Sequence, residues 1–153
     1  MKLLLVNEYY HIVSQNLIHY LSELLPNDFH WTGKDKYRVD FLPFTKEEEK
    51  TYLPEPFALS NLEEGYYTHV IFGEGTKCLY LTPHLKEKGV KRIIIDSTDT
   101  SFLIRKYRQN ADYYFKCQLP KKDILIRNTK DNSYCKASDE ELENVFPLSL
   151  TPS

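Results

Sequence analysis

The sequence predicts an α/β fold, a three-layer sandwich built on a mainly parallel sheet, and three observations carry that prediction. Short apolar runs recur within Lys2–Val6 and Thr68–Phe72 and as the unbroken Ile93–Ile95, as strands buried on both faces require. Stretches with apolar residues at helical spacing lie between them. Each run ends abruptly in a polar or glycine-containing turn. Strands that alternate with helices in this way pair in parallel.

The elements follow in chain order. Lys2–Val6 opens the fold as a strand, and Asn7-Glu8-Tyr9-Tyr10-His11 forms the turn after it. A helix then runs to about Leu25, with Val13, Leu17, Tyr20, Leu21 and Leu24 on one apolar face, and Pro26 and Asn27 stop it. A loop with Trp31 and Gly33 leads to a further strand at Tyr37–Leu42. Residues 43–65 are broken by Pro43, Pro54 and Pro56, and the charged run Lys46–Lys50 reads as a short solvated helix. Thr68–Phe72 is followed by Gly73-Glu74-Gly75-Thr76-Lys77. Cys78–Leu81 starts one short helix and Pro83–Lys88 makes a second, closed by Gly89.

The most regular unit comes next. Arg92–Ile95 is a strand rich in β-branched residues, Asp96 ends it, and Thr98 or Asp99 caps a helix over Ser101–Gln109 with Leu103 and Tyr107 on one face. Asp112–Phe115 is another strand, ending at Lys116, and Ile124–Arg127 a short edge strand. Ser138-Asp139-Glu140-Glu141 is a capping box ahead of Leu142, with Ser138 as the cap and Glu141 reaching back to it. Val145–Leu150 is extended, and Pro147 keeps it out of a central strand position. The pattern as a whole is Rossmann-like, and residues 1–153 read as one such domain.

Composition narrows the function classes. The chain has 153 residues, enough for one domain with its own core. Twelve tyrosines and eight phenylalanines mark an aromatic-packed domain rather than a disordered one. A net charge of −2 implies no strongly basic face, so nucleic acid is not the expected partner. Cys78, Cys117 and Cys135 show neither C-x-x-C nor zinc-ligand spacing and read as reduced thiols in a cytoplasmic protein. Leu3–Val6 is too short for a signal peptide core or a membrane span. No metal and no cofactor is expected.

In an open parallel sheet the turns after the strands gather along one edge, where ligands bind. That edge would carry Asn7 to His11, Gly73 to Lys77, Asp96 to Asp99, and Lys116. Glu8, Glu74, Asp96 and Asp99 outnumber Lys77 and Lys116, which suits a polyhydroxyl ligand or a hydrated cation better than a bare phosphate chain. The same residues also serve as ordinary caps and turn formers. Gly73-Glu74-Gly75-Thr76-Lys77 lacks the G-x-x-x-x-G-K-[ST] pattern and fails G-x-G-x-x-G at Cys78, so its glycines serve a sharp turn or a close backbone approach. The run Ile93 to Asp99 is close to the aspartyl phosphatase pattern of a hydrophobic strand then D-x-D, but its second carboxylate stands one place late. No serine stands in a G-x-S-x-G elbow. Of five histidines, His11 and His84 fall near the edge.

Three segments carry a family resemblance. Ile93-Ile94-Ile95-Asp96-Ser97-Thr98-Asp99, then Asn110-Ala111-Asp112-Tyr113-Tyr114-Phe115-Lys116, then Val145-Phe146-Pro147-Leu148-Ser149-Leu150 resemble the N-terminal domain of bacterial GT-B-type glycosyltransferases over residues 68–150. Asn7–Gln15 is similar to the first, acceptor-side loop of those proteins. The resemblance implies two Rossmann-like domains, with the nucleotide-sugar site mostly in the C-terminal one. The chain ends at Ser153, where the linker to such a domain would begin, so it is expected to be an acceptor-side half that is inactive alone. Its implied partners are a C-terminal nucleotide-sugar-binding domain and a sugar or glycan acceptor. Glu8, His11, Glu74 and Asp96 are then the candidates for acceptor contact or base catalysis. Asn7, Tyr9, Tyr10, Gly73, Gly75, Thr76, Ser97, Asp99 and Lys116 are the substrate-binding candidates, Tyr9 and Tyr10 as stacking surfaces. A rival expectation is a receiver-like signalling domain, with Glu8, Ser97 or Thr98, and Lys116 in place but Gly73-Glu74 where the phospho-accepting aspartate should stand. A binding or scaffold domain without chemistry is the third.

Overall fold

The structure, a computed structural model, describes residues 1–7, 12–33, 65–73 and 79–149. The expected strand at Tyr37–Leu42 and the irregular stretch 43–64 lie outside the described residues. Six strands form one parallel sheet: β1 (Leu3–Asn7), β2 (Phe29–Gly33), β3 (His69–Phe72), β4 (Lys91–Asp96), β6 (Tyr113–Lys116) and β9 (Val145–Pro147), in the order β2-β1-β3-β4-β6-β9. With helices on both faces this is the expected α/β, Rossmann-like three-layer sandwich. The apolar runs at Leu3, Val70, Ile93 and Tyr113 are adjacent parallel strands, and Pro147 lies on the outermost strand beside β6.

The two-residue period of a strand splits these runs between two cores. Leu4, Val6, Val70, Phe72, Ile94 and Tyr114 face one side, where they meet Leu85 of α2 (Thr82–Glu87), Tyr107 of α3 (Arg105–Gln109) and Leu142 of α4 (Asp139–Leu142). Leu3, Leu5, Phe29, Ile71 and Ile95 face the other, against α1 (Ile12–Leu24). The stripe that α1 buries runs through Leu17, Ile18 and Leu21; Tyr20 and Leu24, expected on that face, are exposed. Gly89 closes α2 at φ +71°, a left-handed turn in which any side chain is strained, and its N–H donates to Lys86 O.

Local expectation and structure part in three further places. Trp31 and Gly33 belong to strand β2, not to a loop, because β1 supplies a parallel partner from Leu3↔Phe29 to Asn7↔Gly33. The helix expected from Ser101 begins only at Arg105, with Ile104 as a cap that makes no side-chain bond. Leu103–Ile104 is instead strand β5, paired with β7 (Leu125–Arg127) and through it with β8 (Tyr134–Lys136) in a separate three-stranded sheet. The strand expected near Ile124 is therefore the middle of that small sheet, and Leu103, Ile126 and Ala137 carry it into the first core. The capping box forms as expected: Glu141 N–H donates to Ser138 Oγ at 3.1 Å, and Ser138 N–H donates to Glu141 Oε1 at 3.2 Å.

Candidate functional site

The sheet's chain reversal lies between β1, which leads outward to β2, and β3, which leads the other way to β4. Asn7 ends β1 there, and Gly73, buried, follows β3 with its N–H donating to Val6 O. The candidates Glu8, Tyr9, Tyr10, His11, Glu74, Gly75 and Thr76 continue directly from these two strand ends in sequence and lie outside the described residues.

The described part of the edge is the exit from β4 and β6. Residues Arg92, Ile94 and Asp96 alternate onto one face of β4, and Asp112, Tyr114 and Lys116 sit beside them, with Ile94↔Tyr114 and Asp96↔Lys116 in register. Asp96 is 2% exposed and Lys116 fully buried. Their charges stand 3.5 Å apart, Lys116 Nζ to Asp96 Oδ1, which is an ion pair without a close hydrogen bond. The close contacts go to neutral groups. Asp96 Oδ1 accepts from Thr98 Oγ1 at 2.6 Å and from Thr98 N–H at 3.1 Å, and Oδ2 accepts from the Tyr114 hydroxyl at 2.6 Å. Lys116 Nζ donates to Thr98 O at 2.9 Å and to Thr98 Oγ1 at 3.2 Å, and Thr100 Oγ1 lies 3.5 Å away.

Two buried charges are costly to desolvate, so the partners around them must be well placed. Here those partners are Tyr114 of β6 and, from the turn after β4, Thr98 and Thr100, so the turn is tied to the strand ends below. The same engagement explains why α3 starts late. Thr98 gives its side chain to Asp96 and Lys116 instead of capping a helix, and the Tyr114 hydroxyl takes the Ile104 N–H at 3.1 Å. Burial, then the charge and hydrogen bond of Asp96, push the Tyr114 hydroxyl's pKa far above the ordinary tyrosine value. The Tyr114 hydroxyl thus keeps its proton, donating to Asp96 Oδ2 and accepting from Ile104 N–H.

Of the sequence candidates, Asp96, Ser97, Asp99 and Lys116 are brought together. Asp96 and Lys116 point into the protein, so the surplus of carboxylate expected along this edge is offset inside it. Asp99 is exposed and accepts from Gln118 Nε2 at 3.3 Å; Gln118 adopts φ 56° in the turn after β6. Ser97 Oγ is buried with no hydrogen-bond partner among the described residues. Sequence reasoning missed Tyr114, Thr100 and Gln118. The signal for Tyr114 was available, since two-residue alternation puts it on the face of Lys116.

Elsewhere, a concavity of about 320 Å³ lies between α3 and α4, lined by Arg105, Arg108, Gln109, Glu140 and Glu141. Its arginines bind the protein itself: Arg105 to Glu141 Oε2 at 3.0 Å, Arg108 to the carbonyls of Glu141 and Glu140. No cluster of three or more His, Cys, Asp or Glu side chains suited to a metal ion occurs among the described residues. No helix among them is long and apolar enough to cross a membrane. Compared with protein-family models, with curated proteins and with solved structures, the chain matches none of them.

Proposed function

We propose that the chain is the N-terminal, acceptor-side domain of a GT-B-type glycosyltransferase, which passes a sugar from a nucleotide-sugar to a glycan or other acceptor together with a C-terminal donor-binding domain. One observation carries the reading. The three segments on which the resemblance rests form β4, β6 and β9, three neighbouring parallel strands in register, with their exits on a single edge. An acceptor held at such an edge faces a partner domain across a cleft, where positioning and electrostatics lower the barrier to transfer. The turn after β4 adds support: its groups are held by a buried network, which suits precise placement of a ligand.

A receiver-like signalling domain is the second reading, favoured by the 3.2 Å contact between Lys116 Nζ and Thr98 Oγ1 at the ends of neighbouring strands. It is the weaker one, because the ammonium is directed to Asp96 and the β4 turn.

A glycan array probed with the chain, beside calorimetric titrations with UDP-glucose, UDP-N-acetylglucosamine and GDP-mannose, separates these outcomes. The proposal expects weak, saturable carbohydrate binding and no submicromolar response to any nucleotide-sugar. Submicromolar nucleotide-sugar binding would place the donor site in this chain, and an array without any carbohydrate signal would remove the acceptor role.

A further inference from the structure

We draw no further inference here: the strongest candidate, the partly exposed apolar patch that Ile93, Tyr113, Phe115 and Phe146 form across strands β4, β6 and β9, carries no proposal because nothing in the structure shows what covers it.

Discussion

Strand β4 and the segment Asp112–Lys116, which contains β6, carry two opposite-charge pairs on the same face, four residues apart, and the pairs are built differently. At the entry end, Arg92 and Asp112 meet directly: Nε to Oδ2 at 3.1 Å, Nη2 to Oδ1 at 3.2 Å, with Arg92 N–H also on Oδ2 at 2.8 Å and the Asp112 side chain 30% exposed. At the exit end, Asp96 and Lys116 are both fully withdrawn from solvent, stand 3.5 Å apart, and give their hydrogen bonds to Thr98, Thr100 and Tyr114. The first pair ties strand to strand. The second ties both strands to the turn above them. The signs also alternate, positive then negative along β4 and negative then positive along β6, so a four-residue slip would set Arg92 against Lys116, and the correct register is favoured.

The difference predicts a graded series of effects. The largest belongs to Lys116→Met, which leaves the Asp96 carboxylate buried without its counter-charge; a loss of about 3–5 kcal/mol in urea denaturation is expected. The double variant Asp96→Asn, Lys116→Met removes both charges and should recover part of that loss. If the double variant is as unstable as the sum of the two single changes, the charges are not coupled and the exit-end account fails. Tyr114→Phe comes next. It removes a hydroxyl bonded to a carboxylate and leaves the Ile104 N–H unpaired, for about 2 kcal/mol by the same measurement.

The smallest effect is expected at the entry end, where Asp112→Asn keeps an acceptor for Arg92 and should cost about 1 kcal/mol at neutral pH. Its pH dependence sharpens the contrast. Burial pushes the Asp112 pKa up, but the hydrogen bonds and charge of Arg92 outweigh it and hold the carboxyl below its ordinary value near 3.8. A carboxyl lowered on folding stabilises the protein above its unfolded pKa, and that contribution fades as pH falls through the folded value. The stability gap between wild type and Asp112→Asn should therefore be constant from neutral pH down to about 5 and close in stronger acid. A gap independent of pH would mean that Arg92 does not act on the ionised carboxylate.

The same two strands show what a sequence makes legible. The apolar runs of β1, β3, β4 and β6 identify themselves, because strands covered on both faces need uninterrupted hydrophobic residues. Strand β2 is less plain: Phe29 and Trp31 alternate with His30 and Thr32 and pack on one core, but the run is short, lies between Pro26-Asn27 and Gly33, and is fixed as a strand by its pairing with β1. The small sheet is hidden for a similar reason: strands of two or three residues owe their form to contacts such as Leu103↔Ile126, 23 positions apart in the chain. At the site, Asp96 and Lys116 stand out singly as polar ends of apolar runs. That they share one buried network depends on the register of β4 with β6, which is a property of the fold, and so does the diversion of Thr98 from helix capping.

The central claim is that the exit-end pair holds the turn carrying Ser97 in place, whereas the entry-end pair does not. Native-state amide hydrogen exchange reads this directly at Thr98, with Ile94 in mid-strand as the internal reference. In Lys116→Met, Thr98 should lose clearly more protection than Ile94, and in Asp112→Asn the two amides should change together. Equal losses at Thr98 and Ile94 in Lys116→Met would show that the buried lysine stabilises the sheet as a whole and does not position the turn.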